Sequence, residues 1–310
     1  MSYSSGGLIQ ALDYNTFVQG GASVNHSIAN INSVWGVGSG DKGYGQSSNL
    51  STVAGGNDVV TATQWSTLIS RLNSILSHQS GSGSKISAPT AGATVQYLSA
   101  MSGKITDAYN NRLNAASNGT DVANQGSSTY NYTSSSTASF TRTVTFGSAD
   151  QARYFFNAGG KIIINFTATN NAGNTKGNDW VSLIQTKMAS VTVGAATNSR
   201  GGTGGGSQLA ATGYGYWNAG TTNRDIVGVT SSSGTADYGS NSFTVGIRTN
   251  GVQGSNGDVG TQLIFTMSMN DTAADSSFND EVNVIITSKF TIRPPETANL
   301  TSTWGTPTFS

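Results

Sequence analysis

The apolar residues of this chain follow two different periods, and the change comes at about residue 118. Before it, apolar side chains recur every three to four positions, and after it they recur every second position. Thr61 and Gln64 fit a capping box at the start of the clearest helical pattern, residues 61–78. One face of that stretch carries Trp65, Leu68, Ile69, Leu72, Ile75 and Leu76. The spacing predicts an amphipathic helix here.

Two weaker helical stretches lie on either side of this helix. The first covers residues 13–35, with Asp13 as a plausible cap and an interruption at Gly20 and Gly21. The second covers residues 94–113. Many Ser and Asn residues lower the helix propensity of these stretches. We therefore expect residues 1–118 to form a helical region that needs a partner surface.

The second half of the chain predicts antiparallel strands. Residues 119–137 are rich in Ser, Thr, Asn and Gly, which predicts a linker. A short helical pattern at 179–188 lies among stretches that alternate apolar and polar residues: 140–146, 161–169, 242–248, 262–269 and 282–292. The fold class is therefore α+β, with the helical N-terminal region followed by a mainly antiparallel β-sandwich or jelly-roll-like domain over 138–293.

The C-terminal residues 294–310 predict an extended segment. Pro294 and Pro295 cannot continue a central strand, and no helical period follows them. Trp304 and Phe309 place large apolar groups on this segment. Two interpretations stay open: a frayed terminus, or a C-terminal arm that docks on a neighbouring subunit.

The composition excludes several classes of protein. Charged residues make up 10% of the chain, against roughly 25% in ordinary soluble domains, and 15 basic residues balance 15 acidic ones. This neutrality argues against binding to nucleic acid or to an anionic membrane surface. The chain has no Cys, so disulfides and thiolate metal sites are absent. We also expect no signal peptide and no membrane-spanning segment.

No motif predicts catalysis or cofactor binding. The glycine pattern of residues 38–43 follows a helix rather than a strand, so it does not indicate a dinucleotide site. His26 and His78 are the only histidines, and neither accompanies a nucleophile motif or a third metal ligand. The acidic residues Asp271, Asp275, Asp280 and Glu281 do not have the spacing of a calcium loop. We expect no enzyme, no metal and no cofactor.

One aromatic segment stands out in the second half. Tyr214, Tyr216 and Trp217 lie beside Gly and Asn residues. Such a group suits a surface-binding platform that stacks on sugars, or an interface hot spot. Ordinary packing within the sheet is the alternative.

Several segments together resemble virion structural proteins of tailed bacteriophages, most closely those of phages that infect cyanobacteria and marine bacteria. The segments are LIQALDYNTF (8–17), INSVWGVGSGDKGYGQ (31–46), TATQW (61–65), SHQ (77–79), ARYFFNAGG (152–160) and NDW (178–180). The likeness follows the chain in order over most of its length. Residues 207–240 and the glycine-rich run at 201–206 have no counterpart in it.

The resemblance implies a non-enzymatic virion protein of the tail, baseplate or neck, assembled in the host cytoplasm. The helical half would anchor to the particle through an interface of Tyr14, Phe17, Trp35 and Tyr44, and the β domain would project to carry fibres or meet the host surface. Its partners would be other virion proteins and copies of itself in a symmetric homo-oligomer. Alternatives are a capsid decoration or cement protein, and a carbohydrate-binding module that takes a host surface glycan.

Overall fold

A computed structural model of the chain describes residues 11–20, 29–36, 38, 40–47, 49–54, 59–81, 84–87, 98–133, 137–205, 207–208, 213–231, 240–252, 259–272 and 282–310. The helices are α1 (Ala11–Gln19), α2 (Ile31–Trp35), α3 (Ala62–His78), α4 (Leu98–Asn110), α5 (Ala149–Asn157) and α6 (Thr175–Val181), and α6 continues as a π-helix over Ser182–Met188. The strands are β1 (Ser127–Tyr132), β2 (Ala138–Thr145), β3 (Lys161–Asn170), β4 (Ser190–Val193), β5 (Asn198–Arg200), β6 (Ser207–Gln208), β7 (Arg224–Thr230), β8 (Ser242–Thr249), β9 (Gln262–Asn270), β10 (Val284–Arg293) and β11 (Thr308–Phe309).

The chain divides into two compact units, each assembled from separate stretches of sequence. The helical unit comprises Met1–Gly119, Arg153–Gly159 and Pro295–Trp304. The β unit comprises Thr120–Ala152, Gly160–Pro294 and Gly305–Ser310. The division does not follow the predicted ends of the β domain, because the C-terminal half of α5 and most of the C-terminal segment belong to the helical unit.

Helix α3 forms the centre of the helical unit and confirms the clearest prediction from the sequence. The Thr61 Oγ1 accepts a hydrogen bond from the Gln64 N–H at 3.2 Å, and the Gln64 Oε1 accepts one from the Thr61 N–H at 2.9 Å. Its apolar face is buried along the whole helix. The Trp65 ring lies 6.1 Å from the rings of both Tyr14 and Phe17 on α1, so aromatic packing joins α1 to α3.

The two weaker helical stretches contain helices α1, α2 and α4 in their described residues. The 13–35 stretch contains α1 and α2, and its residues 21–28 lie outside the described part of the chain. The 94–113 stretch contains α4, with residues 94–97 again outside it. Asn30 begins α2 by accepting a hydrogen bond from the Ser33 N–H at 2.8 Å.

Two antiparallel sheets build the β unit. One has the strand order β1-β10-β3-β4-β5 and the other has the order β11-β2-β9-β8-β7-β6. Phe166 on β3 meets Phe243 on β8 with ring centroids 5.4 Å apart, and Phe265 on β9 meets Phe290 on β10 at 5.7 Å. These pairs join the inner faces of the two sheets. The α+β class with antiparallel sheets is therefore confirmed.

The predicted linker at 119–137 needs correction, because it contains strand β1. This strand pairs with β10 in antiparallel register, with Thr129 opposite Thr287. It lies at a sheet edge and its residues before Tyr132 are largely exposed. Its Ser, Thr and Asn residues give the segment the composition of a linker, although Tyr130 and Tyr132 lie on one face of the strand and pack against other rings.

The C-terminal segment also differs from a free docking arm. Trp304 is only 4% exposed and lies within the helical unit. Phe309 lies on β11, which pairs with β2, and its ring is 5.1 Å from that of Phe290. Trp304 is therefore buried within the chain itself, and the half-buried Phe309 packs against Phe290 instead of extending on a free arm.

Candidate functional site

The aromatic segment is held by the hairpin of β4 and β5 in the β unit. The N–H groups of Tyr216 and Trp217 donate to the carbonyls of Gly194 and Ala195 at 3.0 and 2.9 Å. The Asn198 Nδ2 donates to the Tyr214 carbonyl at 2.6 Å. These bonds to the hairpin fix the backbone of a short 3-10 turn over Tyr216–Asn218. The aromatic side chains consequently stand on a rigid base.

The three predicted surface-binding residues do not share one environment. Tyr216 is fully buried, and its hydroxyl donates to the Gly260 carbonyl at 3.2 Å, so it belongs to the core rather than to a binding surface. Tyr214 and Trp217 are each half-buried. The Trp217 ring packs edge-on against Tyr216, with centroids 5.1 Å apart. The buried tyrosine thus supports the partly exposed tryptophan.

Strand β7 adds a cation that the sequence pattern does not indicate. The guanidinium carbon of Arg224 lies 4.5 Å from the centroid of the Tyr214 ring, within the range of a cation–π contact. Arg224 is exposed, and so are its neighbours Asn223 and Asp225, whose side chains lie 3.3 Å apart at Nδ2 and Oδ1. The aromatic patch is defined here as Tyr214, Trp217 and Arg224. It offers aromatic carbon beside exposed polar groups, which is the chemistry that binds a sugar ring.

The residues predicted to anchor the chain to a particle lie mostly in the core of the helical unit. Tyr14, Phe17 and Tyr44 are buried, so they cannot form an exposed interface and that prediction is corrected. Trp35 is half-buried and lies under the Arg71 guanidinium, whose carbon is 5.5 Å from the ring centroid. An apolar stripe has the same composition whether it faces another subunit or the protein's own core, which is why the pattern alone misassigns these residues.

Tyr44 is the centre of a buried hydrogen-bonding network. Its hydroxyl donates to the Arg112 carbonyl at 2.8 Å and accepts from the Gln79 Nε2 at 2.5 Å. Burial raises the pKa of Tyr44, opposed by the Gln79 hydrogen bond and the Arg112 charge. His78 packs edge-on against the Tyr44 ring at 5.3 Å. The Tyr44 phenol stays protonated, and it serves structure rather than acid–base chemistry.

His78 is buried beside this network and carries no charge at neutral pH. Burial lowers its pKa, opposed by the hydrogen bond to Ala158 and the Glu296 charge. Its Nε2 lies 2.9 Å from the Ala158 carbonyl, so this nitrogen is the one that bears the proton. The other histidine, His26, lies outside the described residues.

The glycine pattern of residues 38–43 is part of the same unit. The Arg153 guanidinium donates to the Gly38 carbonyl at 2.5 Å, and the Asn157 Nδ2 donates to the Gly43 carbonyl at 3.0 Å. The carbonyls of this loop are therefore bound by side chains of α5. This agrees with a structural loop and provides no phosphate site.

Of the predicted acidic cluster, only Asp271 lies in the described part of the chain. Its Oδ2 is 2.8 Å from the Lys176 Nζ, and both side chains are fully buried. Asp275, Asp280 and Glu281 lie outside the described residues. Within the described ranges no group of three or more His, Cys, Asp or Glu residues could hold a metal ion. The buried pairing of Lys176 with Asp271 has no signal in the sequence.

One open groove runs along the polar side of α3 in the helical unit. It has a volume of about 350 Å³ and is lined by Ser66, Ile69, Ser70, Asn73, Ser74, Ser77, Lys85 and Asn299. Lys85 is the charged group in this lining, and a hydroxyl stripe beside one amine provides no acid–base pair. The groove is far poorer in aromatic carbon than the aromatic patch, so the patch is the stronger candidate for ligand binding.

Comparisons with known proteins identify no relative of this chain, so the site is interpreted from its geometry alone. No helix in the described part of the chain is long and apolar enough to cross a membrane. None of the protein-family models, curated proteins or solved structures compared with this chain matches it.

Proposed function

We propose that this chain is a non-enzymatic structural protein of a phage virion, located in the tail, baseplate or neck. The main support for the proposal is the position, in the fold, of the segments that resemble phage virion proteins. Parts of 31–46, 77–79 and 152–160 pack against one another inside the helical unit. Residues that are far apart in the sequence therefore build one internal framework.

The chemistry of that framework supports a structural role. Arg153, Asn157 and His78 all bond to backbone carbonyls. A catalytic constellation would instead direct such groups toward a cleft where a substrate could reach them. Side chains whose hydrogen bonds are used inside the chain fix its shape, which is what a subunit of a symmetric assembly requires.

The described surface also suits assembly. Leu12 and Val59 in the helical unit are 50% and 78% exposed, and Val122, Val252 and Val259 in the β unit are also exposed. A neutral surface with few charges gives little repulsion between copies. We infer contacts with other virion proteins and with copies of the same chain, with assembly in the host cytoplasm.

Fractionation of virions tests this proposal. Particles from an infected culture whose phage encodes this chain are purified and disrupted, and tails are separated from heads on a density gradient. We expect an antibody against the chain to label the tail fraction, with a capsid antibody marking the heads. Label in the head fraction would instead favour a decoration or cement protein. Absence from washed particles would refute a virion role.

A second function, binding of a host surface glycan, is favoured by the aromatic patch. Trp217 rests on the buried Tyr216, and Arg224 lies over Tyr214. Base–aromatic and sugar–aromatic stacking share the same π-face contacts, so losing one such ring removes about 1–3 kcal/mol of binding, or roughly a fivefold to 150-fold loss of affinity. The aromatic patch belongs to the β unit, so glycan binding is compatible with any position of the chain in the virion.

The test of glycan binding compares two alanine variants on an array of host envelope glycans. Trp217→Ala should lose binding. Tyr130→Ala removes a half-buried aromatic ring from β1, where it stacks on Phe140 at 4.8 Å, and serves as the matched control. Equal binding by wild type and Trp217→Ala, or equal loss in both variants, would contradict a role for the patch.

A further inference from the structure

The β unit contains an amine and a carboxylate that are both removed from water. The Lys176 Nζ lies 2.8 Å from the Asp271 Oδ2, and the side chains of both residues are 0% exposed. Other ion pairs of the chain are partly exposed, such as Arg293 with Asp121 at 34% and 41%. Removing two charges from water costs several kcal/mol for each ion before their attraction is counted.

Both groups are held in place by local structure. Asn174 caps α6 by accepting a hydrogen bond from the Gly177 N–H at 2.8 Å, and α6 packs on β3. Asp271 directly follows the last residue of β9, and the next N–H, that of Thr272, donates to the Asn241 Oδ1 at 3.0 Å. Because neither partner can move away, the amine meets the carboxyl at a high effective concentration.

A buried aromatic pair lies close to the amine. Trp180, one turn after Lys176 on α6, is fully buried and packs edge-on against Tyr132 at 5.2 Å. Transfer of one proton from the ammonium to the carboxylate would remove both charges from this buried site. The product is a neutral amine beside a carboxylic acid, which is the reactive combination for forming an amide.

Two further polar atoms near the pair are buried without a hydrogen bond. The Asp179 Oδ2 is one, and Asp179 lies three residues after Lys176, on the same side of α6. The Asn241 Nδ2 is the other, on the side chain whose oxygen binds Thr272. A carboxyl group can relay protons, and an amide N–H can stabilise the oxyanion of a tetrahedral intermediate.

We propose that Lys176 and Asp271 condense into an isopeptide bond. The Lys176 Nζ attacks the Asp271 Cγ, the Nζ–Cγ bond forms, and one Cγ–O bond breaks. The departing hydroxyl takes one proton from the nitrogen and leaves as water. Each carboxyl and amine atom is accounted for, and the reaction needs no oxidant or reductant.

The bond would tie the two sheets of the sandwich together. Lys176 lies on the helix that packs against β3 in one sheet, and Asp271 lies at the end of β9 in the other. A cross-link between residues so far apart in sequence restricts the unfolded chain strongly, as a long-range disulfide does. It would supply covalent reinforcement to a chain that has no Cys.

Intact mass spectrometry of the denatured full-length chain tests the bond. We expect a mass below the sequence mass by one water molecule. A tryptic digest should contain residues 162–187, uncleaved at Lys176, joined to residues 249–289. An intact mass equal to the sequence mass, with cleavage at Lys176, would overturn the proposal.

Variants assign the bond to its two residues. Lys176→Arg and Asp271→Ala should each restore the sequence mass, whereas Lys289→Arg, at an exposed lysine of β10, should still lose water. Asp271→Asn should lose ammonia instead of water, because the amide nitrogen is then the leaving group. Loss of ammonia from the wild-type chain would place the link on an amide side chain and contradict the assignment. The wild-type mass decides the question even if a variant does not fold.

Discussion

Replacement of Gly45 by Ala tests the framework of the helical unit at a close contact between a glycine and an aromatic ring. Gly45 has φ +68°, and a Cβ added there would lie 2.3 Å from the Cδ2 of the Tyr154 ring. A left-handed backbone costs a non-glycine residue about 1–2 kcal/mol. Forcing an extra carbon into a packed site costs about 1–3 kcal/mol more. The expected loss of stability is therefore about 2–5 kcal/mol.

Two other glycines of the same unit separate these contributions. Gly81 has φ +76°, but the nearest atom to an added Cβ is the Asn111 Oδ1 at 3.6 Å, so Gly81→Ala should lose only the backbone contribution of about 1–2 kcal/mol. Gly103 lies inside α4 with no atom within 4 Å of an added Cβ. Gly103→Ala should stabilise the helix by about 0.5–1 kcal/mol.

Urea unfolding followed by far-ultraviolet circular dichroism measures this series, because most of the helical residues lie in the helical unit. With an m-value of about 2 kcal/mol/M, Gly45→Ala should lower the unfolding midpoint by about 1–2.5 M. A loss of stability in Gly45→Ala no greater than that in Gly81→Ala, at unchanged m-value, would mean that the Tyr154 ring does not pack against Gly45. The proposed framework of the helical unit would then be wrong.

Two further predictions concern buried polar groups. The pKa of His78 is lowered by burial, so its contribution to stability is complete above about pH 6.5, the value in the unfolded chain, and is lost as the pH falls through the lower folded value. His78→Gln, whose amide can still donate to Ala158, should flatten the fall of the urea midpoint on acidification; an equally steep fall in the variant would contradict this. Arg142 is 3% exposed and donates to the Ser288 and Ser310 carbonyls, so Arg142→Met should destabilise the β unit by about 2–4 kcal/mol. Arg293→Met, which breaks an exposed pair with Asp121, should change stability by less than about 1 kcal/mol when the two variants are compared by thermal unfolding. Equal effects of the two substitutions would show that burial of Arg142 is unimportant.

The helix α3 could be predicted from sequence because all its signals are local. Its apolar spacing and its capping box lie within one short stretch, and both reappear in the structure. Strand β1 was not predicted, since only Tyr130 and Tyr132 alternate with its polar residues, and so short a pattern does not separate a strand from a linker. Helix α5 was not predicted either. It is only nine residues long, and its polar residues Arg153 and Asn157 are buried by bonds to the carbonyls of Gly38 and Gly43, which only the tertiary structure shows.

The candidate site was predictable in composition but not in geometry. The aromatic segment is visible in the sequence, but the 3-10 turn decides that Tyr216 faces inward while Trp217 stays partly exposed. The placement of Arg224 over Tyr214 depends on where strand β7 lies in the sheet. The pairing of Lys176 with Asp271 depends on the packing of α6 against β3 and on where β9 ends. Such contacts are properties of the tertiary structure, which no local pattern encodes.

Immunogold labelling of intact virions tests the central proposal most directly. An antibody raised against residues 138–293 is applied to particles of the phage that encodes this chain, and the gold is located by electron microscopy. The proposal predicts gold at the tail, baseplate or neck. Particles without gold, although the same antibody detects the chain in the infected cells, would contradict a role as a virion structural protein.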